Sequence, residues 1–175
     1  DKTVRLWNFD YQQPIRLYAG HLSDVDCVQF HPNGTLLSSG SSDKHIRIWD
    51  LASGNCVRLL VGHDRGITSL AFSKNGSLLA SGDLGGNVCL WDIAEGKLIH
   101  KYQTGTSTRP VPVLCIDFSH DDKNVAVSST DNRIGIYSIG KDFRVTEYFT
   151  KNTPIYSLRF TPRDILMCAG PYNPE

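Results

Sequence analysis

Residues 20–50 read GHLSDVDCVQFHPNGTLLSSGSSDKHIRIWD, and residues 62–92 return to the same pattern as GHDRGITSLAFSKNGSLLASGDLGGNVCLWD. Gly20-His21 recurs as Gly62-His63, and Trp7, Trp49 and Trp91 stand 42 residues apart each time. Phe30, Phe72, Phe118 and Phe160 follow at intervals of 42, 46 and 42. A fixed period of this size means stacked supersecondary units, because one unit alone cannot bury its apolar face.

Working outward from those two segments, each unit resolves into strands. The runs Val25–Phe30, Ile67–Phe72, Val113–Phe118 and Ile155–Phe160 carry large apolar residues at alternate positions: Val28/Phe30, Leu70/Phe72, Ile116/Phe118 and Leu158/Phe160. The opposite face holds the small residues Cys27, Ser69, Cys115 and Ser157. A period of two marks a strand, and small residues suit the crowded inner strand of a sheet stack. Turn residues between the runs leave no room for helices. Asn33-Gly34 and Asn75-Gly76 predict two-residue hairpin turns with positive φ at both positions. The runs give two strands before residue 20, two sets of four in 25–61 and 67–103, a further set in 113–150, and two strands in 155–170.

A period near 42 with Gly-His near one end and Trp-Asp near the other resembles the WD-repeat family, whose members are β-propellers of four-stranded blades. The resemblance implies an all-β WD-repeat propeller with a half blade at 1–19, blades at 20–61 and 62–103, a degenerate blade at 104–150 and a half blade at 151–175. Closing such a ring takes about seven blades, so the chain reads as the C-terminal part of a seven-bladed propeller. The other arrangement is a four-bladed ring closed by pairing of the two half blades.

Composition narrows the function classes. Eighteen Lys+Arg balance 18 Asp+Glu, which gives no electrostatic footprint for direct nucleic-acid binding or for an anionic membrane. No apolar run approaches the length of a membrane span, and no charged-then-apolar leader opens the chain. Cys27, Cys56, Cys89, Cys115 and Cys168 are odd in number and contain no C-x-x-C pair. Free thiols in a reducing compartment fit that count better than a disulfide framework.

Ser39, His21 and Asp43 superficially form a hydrolytic triad, yet no nucleophile elbow or oxyanion hole accompanies them. The family resemblance implies instead a buried structural tetrad, His21–Ser39–Asp43–Trp49. The second blade keeps His63, Ser81 and Trp91 but has Gly85 at the Asp position, with Asp83 two residues earlier. In the third blade Arg109, Val127 and Tyr137 replace His, Ser and Trp, leaving Asp131. Lys151 and Ala169 take the His and Ser positions of the last repeat. Gly82-Asp83-Leu84-Gly85-Gly86 reads as a turn between strands, since no helix follows to hold a phosphate. Asn33-Gly34-Thr35 and Asn75-Gly76-Ser77 match the glycosylation sequon, but the hairpin explanation suffices. His31, His45, His100 and His120 stand singly, without metal-ligand spacing to a cysteine. Neither a metal nor a cofactor is expected, nor an enzymatic activity.

The interval from Trp91 to Phe118 is four residues longer than its equivalents. Its loop, Thr104–Pro112, falls by register on the same face as Asp24 and Arg65. Loops of this kind in repeat proteins commonly bind, so Asp24, Arg65, Thr104, Thr106, Ser107 and Arg109 form the candidate protein-binding face. The segment from Tyr148-Phe149-Thr150-Lys151-Asn152-Thr153-Pro154 to Ala169-Gly170-Pro171-Tyr172-Asn173-Pro174 is similar to the end of the WD-repeat subunits of general transcription factor TFIID, the TBP-associated factor subunit 5 family. That resemblance implies a nuclear scaffold whose propeller docks histone-fold TFIID subunits, and through them TATA-box-binding protein, for RNA polymerase II initiation. In some lineages it would also serve the SAGA coactivator. Two other readings use the same fold: a substrate receptor of a ubiquitin ligase, and a scaffold of a cytoplasmic signalling or RNA-processing complex.

Overall fold

The computed structural model describes residues 1–104, 111–140, 145–151 and 153–171. Among these residues every regular element is a strand. β1 (Thr3–Leu6) and β2 (Arg16–Ala19) form a two-stranded sheet. Three four-stranded antiparallel sheets follow. The first is β3 (Val25–Phe30), β4 (Leu36–Ser41), β5 (His45–Asp50) and β6 (Cys56–Val61). The second is β7 (Ile67–Phe72), β8 (Leu78–Asp83), β9 (Asn87–Asp92) and β10 (Lys97–Gln103). The third is β11 (Val113–Phe118), β12 (Asn124–Ser129), β13 (Arg133–Ser138) and β14 (Val145–Phe149). β15 (Ser157–Phe160) and β16 (Leu166–Ala169) make the last pair. Strand order follows chain order within each sheet, the up-and-down blade of a propeller. β16 and β1 belong to separate sheets, so the four-bladed ring is not closed and the arc is open at both ends.

The core lies between blades. Ile46, Ile48 and Leu60 of the first full blade pack on Ile67, Leu70, Phe72 and Trp91 of the second. Ala71, Ala80 and Val88 meet Phe118, Val125 and Tyr137 of the third, and Ala126 and Ile134 meet Ile155 and Leu158 of the last. Fully burying each Leu, Ile or Phe stabilises by roughly 1.5–3 kcal/mol. The inner strands β3, β7, β11 and β15 stand side by side, and glycines let them approach. A Cβ on Gly40 would lie 2.6 Å from Ile67 Cγ2, and one on Gly82 only 2.4 Å from Val113 Cγ1.

The hairpin turns differ from the two-residue type that Asn-Gly suggested. Only Gly34 and Gly76 have positive φ, at 71° and 78°, while Asn33 and Asn75 do not. Each glycine N–H instead bonds the carbonyl three residues back, at His31 and Ser73. The asparagine side chains are used locally, the Asn75 amide oxygen accepting from Ser73 Oγ, Ser77 N–H and Ser77 Oγ. Asx-turn chemistry has therefore replaced type I′ geometry. Asp122 and Asp164 take the glycine position in the next two turns, with φ of 56° and 57°. Their carboxylates reach back a blade: Asp122 accepts from the N–H groups of Lys74 and Asn75, and Asp164 from that of His120. These interblade bonds offset the left-handed conformation, which costs a non-glycine residue roughly 1–2 kcal/mol.

A β-bulge recurs near the start of each full inner strand, between Val25/Cys27, Ile67/Ser69 and Val113/Cys115. The final hairpin is one residue shorter than the others. Phe160 pairs with Leu166 and Leu158 with Cys168, so Cys168 rather than Ala169 holds the position of Ser39.

Candidate functional site

In the first full blade β4 delivers Ser39, the β4–β5 turn delivers Asp43, β5 delivers Trp49, and the loop before β3 delivers His21. Trp49 Nε1 donates to Ser39 Oγ at 2.7 Å, Ser39 Oγ lies 2.8 Å from His21 Nε2, and His21 Nδ1 lies 2.8 Å from Asp43 Oδ2. The donors run one way. The indole N–H occupies one lone pair of the hydroxyl, the hydroxyl proton points to Nε2, and the Nδ1–H faces the carboxylate. Burial alone would raise the Asp43 carboxyl. Bonds from the Leu22 N–H, His21 and the His45 N–H outweigh it and hold the group down to about 2.

The second blade builds the same relay from a different sequence. Trp91 Nε1 donates to Ser81 Oγ at 2.8 Å, Ser81 Oγ is 2.6 Å from His63 Nε2, and His63 Nδ1 is 2.8 Å from Asp83 Oδ2. Asp83 therefore reaches His63 from the end of β8, although the turn position is Gly85. Its carboxylate also accepts from the N–H groups of Gly85 and Asn87 at 2.8 Å and from Asn87 Nδ2 at 2.9 Å. Burial pushes this carboxyl up, but the bonds from His63 and Asn87 win and leave it below its ordinary value. Both serines are fully buried. A hydroxyl held between an indole and an imidazole has no access to solvent, and its bonds tie the loop before the inner strand to the two middle strands of the blade.

The third blade has no such relay among the described residues. Asp131 bonds Ser129 Oγ at 2.6 Å and pairs with Arg133 at 2.9 Å. Val127 is buried in the serine position. Tyr137, in the tryptophan position, stacks on Tyr102 at 5.8 Å. An apolar cavity of about 10 Å³ lies beside it against Ala80, Leu90 and Val125, and burial pushes the Tyr137 hydroxyl up to about 12.

The exposed candidate residues sit on the loops that precede the inner strands. Asp24 O accepts from Ser42 N–H, Gly66 O from Leu84 N–H, and Pro112 O from Thr130 N–H. Each bond ties a loop to the second turn of its own blade, so these loops and turns share one face. Asp24 is exposed. Arg65 is exposed, and a Cβ on Gly85 would lie 3.1 Å from its Cγ. Lys101 Nζ reaches across to Asp64 Oδ2 at 2.7 Å and Gly62 O at 3.0 Å. That bond lowers the Asp64 carboxyl and raises the Lys101 ammonium.

Thr104 differs from its expected place on this surface. It is buried, with Oγ1 donating to Gly86 O at 2.9 Å. Thr106, Ser107 and Arg109 lie outside the described residues. The same face also presents Leu22 and Leu84, exposed apolar side chains that the sequence reading passed over. Their signal was positional: Leu22 follows the Gly-His pair, and Leu84 stands in the turn beside the displaced Asp83. Among the described residues no group of three or more His, Cys, Asp or Glu is arranged to hold a metal ion, and no helix is long and apolar enough to cross a membrane.

Bladed antiparallel sheets, a buried His–Ser–Asp–Trp relay and mixed polar and apolar loops on one face define a repeat protein of the propeller class. The chain belongs to the WD40 family, described as WD domain, G-beta repeat, which matches residues 12–50, 54–92 and 96–138. One stretch of 44 residues is 39% identical to Transcription initiation factor TFIID subunit 5 of Caenorhabditis elegans and covers 25% of this chain and 7% of that protein. Another of 42 residues is 52% identical to Apoptotic protease-activating factor 1 of Danio rerio, covering 24% of this chain and 3% of that protein. The matches thus span only a small fraction of either relative's length.

Proposed function

We propose that the chain is a non-enzymatic scaffold segment of the general transcription machinery, nuclear, whose propeller face docks histone-fold subunits of TFIID. The observation that carries this reading is the C-terminal segment from Tyr148 to Pro174, together with the similarity to TFIID subunit 5. Supporting it is a face of rigidly held loops with Asp24, Arg65, Leu22 and Leu84 in reach of a partner. Polar residues around exposed apolar anchors are the composition of a protein interface. Contact with TATA-box-binding protein is indirect on this reading, and DNA is left to the partners, consistent with the balanced charge.

The test is co-purification of the full-length protein with histone-fold TFIID subunits and TATA-box-binding protein. Recovery of those subunits supports the proposal; recovery of ubiquitin-ligase components overturns it. A second reading, a cytoplasmic signalling scaffold, draws on the similarity to Apoptotic protease-activating factor 1. It predicts that the full-length protein stays out of the nucleus. Arg65→Ala and Asp24→Ala should weaken partner capture while leaving the melting temperature unchanged. An equal loss of stability would make them structural.

A further inference from the structure

Each full blade carries a charged residue in the same cross-strand pair of its two outer strands. That pair is Arg47–Leu59 in the first blade, Cys89–Lys101 in the second and Gly135–Glu147 in the third. The second and third blades neutralise the charge internally. Lys101 Nζ reaches Asp64 Oδ2 at 2.7 Å and Gly62 O at 3.0 Å, and Glu147 Oε2 meets Arg133 Nη1 at 3.4 Å. In the first blade the cation stands on the other strand of the pair, as Arg47 on β5. The residue after the Gly-His pair, Asp64 in the second blade, is Leu22 in the first. Arg47 therefore lacks the carboxylate that Lys101 has.

Packing fixes the guanidinium. Its Cζ lies 5.8 Å from the centre of the Trp49 ring, and a Cβ on Gly20 would stand 3.4 Å from Cζ and from Nη1. Gly20 corresponds to Gly62, whose carbonyl meets Lys101, so the two cations occupy equivalent corners. Nη1 has only the Cys56 thiol, at 3.7 Å, and Nε is buried without a partner. Among the described residues Arg47 enters no ion pair. Asp43 of the same blade is already taken by His21 and by the N–H groups of Leu22 and His45. A partly desolvated charge without a counter-ion is costly, and a guanidinium fork matches the two oxygens of a carboxylate. The surroundings are apolar: Leu22, Leu59 and Val61 are all exposed. Leu59 and Val61 share the sheet face of Arg47, opposite Arg47 and His45, and β6 is an edge strand that an extended chain can approach.

We propose that this rim of the first full blade docks an extended acidic segment of a partner protein. An Asp or Glu of the segment pairs with Arg47, and its neighbouring aliphatic side chains cover Leu59, Val61 and Leu22. Charge complementarity sets the choice, since one unpaired cation among aliphatic side chains fits a single carboxylate in an apolar sequence. Alternate exposed positions on β6 suit the period-two side chains of an extended segment. The comparison between blades also shows how the site closes. Leu22→Asp puts a carboxylate where Asp64 stands and satisfies Arg47 from within the chain. The inference rests on that comparison and not on the transcription reading, and its test contains no transcription subunit, so either can fail alone.

A random peptide library displayed on phage, selected on the full-length protein and counter-selected on its Arg47→Gln variant, tests the proposal. Expected are peptides that prefer the unaltered protein and share an Asp or Glu flanked by aliphatic residues. Fluorescence polarisation with a labelled selected peptide then measures affinity. It should fall about tenfold or more with Arg47→Gln, with Leu22→Asp, or with the peptide's acid replaced by its amide. Lys97→Gln, which removes an exposed cation of the second blade, should leave it unchanged. Leu22→Asp retains Arg47 and should melt no lower than the unaltered protein, which separates lost docking from lost folding. No peptide preferring the unaltered protein, preferred peptides without an acid, or a Leu22→Asp variant that binds as before overturns the proposal.

Discussion

Asp83→Ala probes the displaced carboxylate of the second blade. The substitution strands His63 Nδ1–H and the N–H groups of Gly85 and Asn87, all of which lose their acceptor. Each buried polar group left unsatisfied costs about 1–3 kcal/mol, and two of these donors, the His63 Nδ1–H and the Gly85 N–H, are buried. A loss of about 2–6 kcal/mol is therefore expected, since the Asn87 groups are only partly buried and recover some hydration. Urea unfolding at neutral pH, followed by tryptophan fluorescence, reads it directly because Trp91 is buried beside the relay. The first blade supplies the rescue. There Ser41 and Asp43 stand where the second blade has Asp83 and Gly85, and both arrangements place the carboxylate 2.8 Å from the imidazole. Asp83→Ser combined with Gly85→Asp should restore most of the lost stability. The three nearest approaches of a Cβ at Gly85, 3.1–3.2 Å, are to the Arg65 stem, the Asn87 amide and the carboxylate being removed. A loss below about 1 kcal/mol, the low end for one unsatisfied group, would refute the reasoning. So would a double variant no more stable than the single one.

Three further outcomes follow from the same geometry. The carboxyls of Asp43 and Asp83 are lowered in the folded state, Asp43 to about 2. Their stabilisation is present above the unfolded carboxylate value of about 4 and is lost as pH falls from there toward 2. A melting temperature flat between pH 5 and 3 would contradict this. Gly82→Val would force a side chain into Val113, whose Cγ1 already lies 2.4 Å from a Cβ position. Overpacking of this kind costs about 1–3 kcal/mol, and an unchanged urea midpoint would sink the close-approach argument. Asp122→Ala keeps the left-handed φ of 56° and loses the bonds to Lys74 and Asn75. It should cost about 1–2 kcal/mol, whereas Asp122→Gly relieves the backbone and should cost less. Both variants lose the interblade bonds, so the reverse order in thermal melts would refute the backbone-strain argument, and no loss in either would show that the bonds contribute nothing.

The strands were legible because period-two alternation and the repeat of Phe and Trp fix both register and face. Cys168 was misplaced by one residue because a shortened hairpin leaves no mark on a repeat counted from Phe160. Asp83 was undecided for a related reason. Two positions along a hairpin move a carboxylate by one pleat, and only the path of the turn shows whether it still meets the histidine. The Asn-Gly pairs misled because asparagine also satisfies a turn through its side chain, which leaves positive φ to glycine alone. Thr104 was read as a loop residue from its place at the edge of the insertion, whereas its bond to Gly86 puts it inside. Leu22 and Leu84 escaped notice because exposure, not residue type, makes them candidates for contact.

On the proposed function, a histone-fold partner docks on the loops before the inner strands. Hydrogen exchange of the full-length protein, alone and with a purified histone-fold pair of TFIID subunits, tests it most directly. Docking there predicts protection at residues 22–26, 64–66 and 84–86, with the turns around residues 32–35 and 74–77 unchanged. Protection confined to those turns, or none under conditions where the histone-fold pair is folded and in excess, contradicts it.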